Sequence, residues 1–157
     1  MDKIDEIDKS ILYILQRNAT IPLSELSKRV GLSTTPCWNR IKKMEEQGVI
    51  VSKNTTLDNN KINLSIVVFL SVSVSSHSKD WSVQFYKIIK QYDQILEAYR
   101  ITGSSTDYLL KIVAPSIDAY DQFQQKLINE IEFTKMSSSI ALKEIKKNNY
   151  VPLDFIS

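Results

Sequence analysis

Residues 31–43 read GLSTTPCWNRIKK: a glycine, a run of hydroxyls, a proline and an indole lead into three positive charges with no acid among them. The spacing predicts a helix, with Thr35 as its cap, Pro36 at the first helical position where a missing N–H costs nothing, and an end at Gly48. Projected at about 100° per residue, Cys37, Ile41 and Met44 fall on one stripe and must face other helices. Thr35, Trp38, Asn39, Lys42 and Lys43 fall on the broad opposite arc. Arg40 sits at the edge of the stripe, where it has two readings: a phosphate contact, or a pair with Glu25 or another local acid.

Working outward, Leu23, Leu26 and Val30 make a short apolar face that stops at Gly31, the residue that most easily adopts a left-handed helix end. Earlier still, Ile4, Ile7, Ile11, Leu12 and Leu15 recur at helical spacing, with Asp5, Glu6 and Asp8 near the start, where the helix dipole favours negative charge. A short helix, a glycine turn and a second helix with a polar outward face make a helix-turn-helix signature. Such a face suits a DNA major groove: lysines and arginines neutralise phosphates, an asparagine pairs with adenine N6 and N7, and a helix N-terminus favours a phosphate. The expected double-stranded DNA contacts are Ser33, Thr34, Thr35, Pro36, Trp38, Asn39, Arg40, Lys42 and Lys43. The plainer alternative is a three-helix packing unit with a solvated face.

After residue 50 the chain turns β-prone, and Asp58 to Lys61 reads as a turn. Ile66, Val68, Leu70, Val72 and Val74 alternate with serines, as a strand with one buried face does. Trp81, Phe85, Ile88 and Tyr92 return to helical spacing and read as core aromatics and aliphatics. Residues 95–102 and 108–114 are strand-like around a short polar connection, so a hairpin is expected. Ile117, Tyr120, Phe123, Leu127 and Ile131 mark another helix, and residues 136–145 a last strand. The order strand, helix, strand, strand, helix, strand is the ferredoxin-like arrangement. The expectation is an α+β chain: residues 1–50 a helix-turn-helix domain, 51–62 a β linker, and 63–157 a ferredoxin-like domain. Because helices cover one sheet face only, a homodimer is expected to cover the other.

Composition narrows the class. The 157 residues carry a net charge of only +2, so any nucleic-acid reading rests on local distribution. Lys28, Arg29, Arg40, Lys42 and Lys43 lie between residues 27 and 43 with no Asp or Glu, whereas residues 66–157 balance their bases and acids. The single cysteine, Cys37, excludes an internal disulfide and a multi-cysteine zinc site, and it falls on the core side of its helix. No apolar run approaches the roughly 20 residues of a membrane span. No signal peptide is read in the first thirty residues, so a cytoplasmic location is expected, with no metal and no cofactor. The single histidine, His77, reads as an exposed loop residue.

Taken together, "IDEIDKSILYILQRNATIPLSELSKRVGLSTTPCWNRIKKMEEQGVI" (4–50) resembles the DNA-binding domain of the leucine-responsive regulatory protein/AsnC (Lrp/AsnC) family, the feast/famine regulators. Asp5, Asp8, Ile11, Leu12, Leu26, Gly31, Leu32, Ser33, Cys37, Arg40, Glu45, Gly48 and Ile50 stand where that family's pattern asks. "TGSSTDYLLKIVAPSIDAYDQF" (102–123) and "LKEIKKNNYVPL" (142–153) are similar to its later segments. The resemblance implies a winged-helix DNA reader joined to an effector-binding domain, dimers that assemble into tetramers or octamers, and an amino-acid effector near the loop between the second and third strands. That loop departs from the family pattern: Gly103 is followed by Ser104, Ser105 and Thr106 before Asp107, one residue more and one carboxylate fewer. Either Asp107 cradles an α-amino group and the Gly103–Ser105 backbone an α-carboxylate, or the segment is simply a polar hairpin tip. Thr102 flanks this set, and Ser138 on the last strand either joins it or is a plain strand hydroxyl. Two other readings compete. One is an architectural DNA-binding protein without an effector; the other, an enzyme resembling siroheme decarboxylases, is opposed by the lone histidine and the basic face.

Overall fold

The computed structural model describes residues 3–75, 78–103 and 105–156. Its contacts divide into two compact units: Met1–Thr56 together with Ile145–Ser157, and Leu57–Glu144.

The first unit is built on three helices, α1 (Glu6–Leu15), α2 (Leu23–Arg29) and α3 (Thr34–Glu46). A reciprocal capping box starts α1: Asp5 accepts from the Asp8 N–H at 2.8 Å, and Asp8 accepts from the Asp5 N–H at 3.2 Å. Gly31, at φ +73°, turns the chain after α2 as expected. The start of α3 differs from expectation. Ser33, not Thr35, is the N-cap, and helical geometry begins at Thr34, so Pro36 takes the third helical position. It is tolerated there because the first-turn N–H groups have no intrahelical acceptor. Ile11, Ile21, Leu26, Cys37, Ile41 and Met44 close the core. Burial pushes the Cys37 thiol above its ordinary pKa, as an inert packing residue requires.

Two boundaries also differ. No strand forms over 51–58; a 3-10 turn follows at Asn59–Ile62, ended by Asn63 in the left-handed region at φ 60°. The segment from Ile145 onward groups with the helical unit, not with the domain that follows the linker. The side-chain amide of Gln16, the C-cap residue of α1, satisfies the backbone groups of Val151 in that segment, a contact invisible to hydrophobic periodicity.

The second unit holds β1 (Ile66–Ser73), α4 (Lys79–Gln91), β2 (Ile95–Arg100), β3 (Tyr108–Ala114), α5 (Ile117–Glu130) and β4 (Lys135–Ile140). The sheet order is β2-β3-β1-β4 and every pairing is antiparallel, the ferredoxin-like topology. β4 ends at Ile140, short of the expected 145. Val68, Leu70 and Val72 on β1 bury against Phe85 and Ile88 of α4 and Tyr120, Phe123 and Leu127 of α5. Trp81 stacks on Phe85 at 4.8 Å between ring centroids. On the other sheet face the register aligns Phe69, Lys111 and Glu97 across three strands, with Ser71, Leu109 and Tyr99 in the next row. Lys111 pairs with Glu97 there at 2.9 Å. Among the described residues, no helix is long and apolar enough to cross a membrane.

Candidate nucleic-acid interface and effector loop

Helix α3 presents its outward arc as the wheel requires. Ser33, Thr34, Thr35, Pro36, Asn39, Lys42 and Lys43 are exposed, and Trp38 keeps 48% of its surface in solvent. The Lys42 ammonium sits 4.9 Å from the Trp38 ring centroid, close enough for the ring to orient it. Trp38 and Lys42 also line a cleft of about 330 Å³ with Ile21, Leu23, Ile41 and Lys53. The helix start, like that of α2, has no side-chain cap. The Ser33 side chain makes no cap hydrogen bond, whereas Asp5, Ser78 and Ser116 cap α1, α4 and α5 with theirs. First-turn N–H groups that no cap side chain serves, at the positive end of the helix dipole, are an anion-binding arrangement.

Arg40 belongs to a different task. Its guanidinium Nη1 donates to Asp5 at 2.7 Å and to Asp8 at 2.8 Å, while Glu25 pairs with Arg29. The partner is therefore the acidic pair at the start of α1, not Glu25. This couples the recognition helix to the capping box of the first helix. The Asp8 N–H and then Arg40 hold the Asp5 carboxyl below its ordinary pKa, and both aspartates keep Arg40 charged. The sequence signal was available: two acids three residues apart at a helix start, and one arginine at the margin of a core stripe.

The β2–β3 connection is tied by hydrogen bonds to the end of β1. Asp107 accepts from the Val74 N–H at 2.9 Å, and its own N–H donates to Val72 O at 2.9 Å. The Ser73 hydroxyl donates to the Ser105 carbonyl. Gly103 takes φ +100°, a conformation other residues rarely adopt, and Thr102, Gly103 and Ser105 are exposed. Thr106 is half-buried; Ser104, expected in this loop, and His77 lie outside the described residues. Ser138 is elsewhere. It pairs with Leu70 on the sheet edge opposite β2, and its hydroxyl bonds the Tyr120 hydroxyl at 2.6 Å and accepts from Gln124 at 3.3 Å. Within one chain it is a strand hydroxyl that ties β4 to α5. Among the described residues no cluster of His, Cys, Asp or Glu is arranged to hold a metal.

Known proteins share this arrangement. A family model for a winged helix-turn-helix DNA-binding domain matches residues 4–51, and the model of the Lrp/AsnC ligand binding domain matches residues 67–151. The glutamate uptake regulatory protein of Zymomonas mobilis is 39% identical over 151 residues, covering 96% of this chain and 92% of that protein. An AsnC family transcriptional regulator from Agrobacterium tumefaciens superposes with a TM-score of 0.93 at 43% identity, over 98% of this chain and 99% of that one. Transcriptional regulator NMB0573 from Neisseria meningitidis, solved in complex with L-methionine, gives 0.91 at 32% identity, over 97% and 98%. The chain therefore belongs to the Lrp/AsnC family, as a DNA-binding transcriptional regulator with a ligand-binding domain and not an enzyme.

Proposed function

We propose that α3 enters the major groove with Trp38, Asn39, Lys42 and Lys43 toward the duplex, and that the regulator binds paired half-sites as a homodimer. The observation that carries this is the half-exposed Trp38 beside Asn39 and Lys42, on a helix whose N-cap side chain leaves the first turn unserved. Thr34, Thr35 and the first-turn N–H groups lie against phosphate, Asn39 reads a base edge, and Trp38 packs on deoxyribose or a thymine methyl. Arg40 acts through Asp5 and Asp8 and sets the angle of α3. Asn39→Ala weakens binding more on the selected operator than on random duplex. Lys42→Ala weakens both alike and lowers the salt slope by about one. Gel shifts from 50 to 200 mM salt decide; wild-type behaviour in both variants overturns the face assignment.

The second copy covers the open sheet face, where Phe69, Leu109 and Tyr99 line up beside the Glu97–Lys111 pair. Dimers then assemble further into tetramers or octamers, which light scattering measures. A small effector, an amino acid by analogy with the L-methionine complex of the Neisseria regulator, binds near residues 102–107. A thermal-shift screen of the twenty amino acids tests this, since a ligand at 100 times its Kd adds about 2.7 kcal/mol. One observation favours a second reading, an architectural regulator without an effector: the Asp107 carboxylate is already bonded to the Val74 N–H. A flat thermal-shift screen selects that reading and leaves the DNA assignment standing.

A further inference from the structure

One step along β3, from Ile112 to Lys111, is matched by two along β2, from Ile95 to Glu97, so Leu96 is an extra residue in the ladder. Side chains alternate along a regular strand, and residues 95 and 98 would then point to opposite faces. The bulge puts them on the same one. Ile95 lies opposite Ile112, Ala98 opposite Leu110 and Arg100 opposite Tyr108, all core positions of β3. The extra residue therefore aims Ala98 and Arg100 at the helix-covered face, on a strand that forms one edge of the sheet. Ala98 is too small to fill its place and stays exposed. A cleft of about 280 Å³ is left between β2 and α4.

The walls of this cleft divide by chemistry. Phe85, Ile89 and Ala98 supply apolar surface, and the Phe85 ring lies 4.7 Å from that of Tyr108 and 6.2 Å from that of Tyr86, centroid to centroid. The Tyr108 hydroxyl shares hydrogen bonds with those of Ser82 and Tyr86. Burial pushes that phenol above its ordinary pKa, so it stays a neutral hydrogen-bonding group. Arg100 and Lys90 add two cations, and no Asp or Glu lines the cleft. Among the described residues no ion pair holds either cation. The volume falls just under the roughly 300–1,000 Å³ that drug-sized ligands occupy, so a fitting occupant is small. We propose that the cleft between α4 and β2 is a ligand site for a small, amine-free carboxylate with a compact apolar body. The Arg100 guanidinium takes the carboxylate, Lys90 adds to the positive field, and Phe85, Ile89 and Ala98 receive the body. An α-ammonium would meet two like charges and no acid. The site uses none of residues 102–107, so it stands whether or not an amino acid binds that loop.

The test is titration calorimetry on the whole chain with two matched pairs, hydrocinnamate against L-phenylalanine and isocaproate against L-leucine. Each pair shares its apolar body and carboxylate and differs by one ammonium group. At least one acid binds, on the order of tenfold more tightly than its amino acid binds the same site. Arg100→Gln weakens that binding by about tenfold or more, because a charged hydrogen bond is lost. Ala98→Leu fills the cleft from an exposed strand position and abolishes it. Urea unfolding of both variants checks that lost binding is not lost folding; if Ala98→Leu unfolds early, Arg100→Gln decides alone. Only amino-acid heat that Ala98→Leu or Arg100→Gln diminishes counts toward the ratio, since the remainder arises elsewhere. Absence of binding by both acids overturns the proposal. So does an acid that binds a folded Arg100→Gln variant as it binds wild type, or an amino acid that matches its acid at this site. Acid binding with no response to any of the twenty amino acids fails the amino-acid effector reading and leaves the cleft assignment in place.

Discussion

The outward face of α3 and the β2–β3 loop are both polar, exposed and predicted to bind, yet the structure treats them oppositely. On α3, Trp38, Asn39 and Lys42 project from a helix that bonds its own backbone beyond the first turn, so their chemistry is offered outward. In the loop, the Asp107 carboxylate holds the Val74 N–H and the Ser105 carbonyl accepts from the Ser73 hydroxyl at the end of β1, so the polar groups hold the turn before they hold anything else. The lesson is that composition identifies polar surface but not its occupation. A helix bonds its own backbone internally and leaves its side chains to a partner, whereas a connection between strands must recruit side chains for its own support.

That contrast can be broken at several levels. The largest effect belongs to the cores beneath each region. Leu26→Ala and Leu110→Ala, both at fully packed sites, each cost about 2–5 kcal/mol. Calorimetry shows whether the first lowers only the helical unit and the second only the sheet unit; equal shifts of both would show that the two regions are not separable. Next, Asp107→Ala leaves the Val74 N–H without that acceptor and destabilises by about 1–3 kcal/mol. Asn39→Ala stays within about 0.5 kcal/mol while losing DNA discrimination. Urea unfolding of the pair checks the distinction, and equal stability losses abolish it.

The helix starts sharpen it further. Ser116 caps α5 by accepting from the Ala119 N–H at 3.1 Å, so Ser116→Ala costs about 1 kcal/mol. Ser33→Ala changes thermal stability by only a few tenths, roughly, because no side-chain cap is lost, yet the same change shifts DNA affinity if phosphate docks there. The smallest effect is the acid limb at Asp5, whose carboxylate is about half exposed. The fold lowers its pKa, so the unfolded chain takes up the proton first as pH falls. Its contribution is therefore present above about pH 4 and lost as pH drops through the lower folded value. Denaturation between pH 5 and 2 shows a shallower decline in Asp5→Asn than in wild type, and an identical slope removes the Arg40 lock from the account.

Much of this was legible because it is local. Cys37, Ile41 and Met44 share a stripe through helical periodicity alone, and the alternation of Val68, Leu70 and Val72 marks the buried sheet face just as directly. Gly31 and Gly48 stop their helices at φ +73° and +72°, as residues without a Cβ do. What failed did so for equally physical reasons. The N-cap moved from Thr35 to Ser33, because proline is compatible with several first-turn positions and does not fix the register. Residues 51–58 have β-prone side chains but no strand partner in the described chain, and β propensity expresses packing more than backbone preference. For Ser138 the two readings, a part in the effector set or a plain strand hydroxyl, could not be separated by sequence; within one chain the strand order puts it on the far edge.

The amino-acid order by itself determined the helical and strand segments, their buried faces and the outward chemistry of α3, since each follows from periods of 3.6 and 2 acting within a dozen residues. Only the tertiary structure decided which acids hold Arg40, that Asp107 supports its own turn, and that the chain beyond residue 144 returns to α1. Those contacts join residues 32, 33 and 135 positions apart. No local pattern encodes them, because a hydrogen bond between distant groups forms only after both backbones are in place.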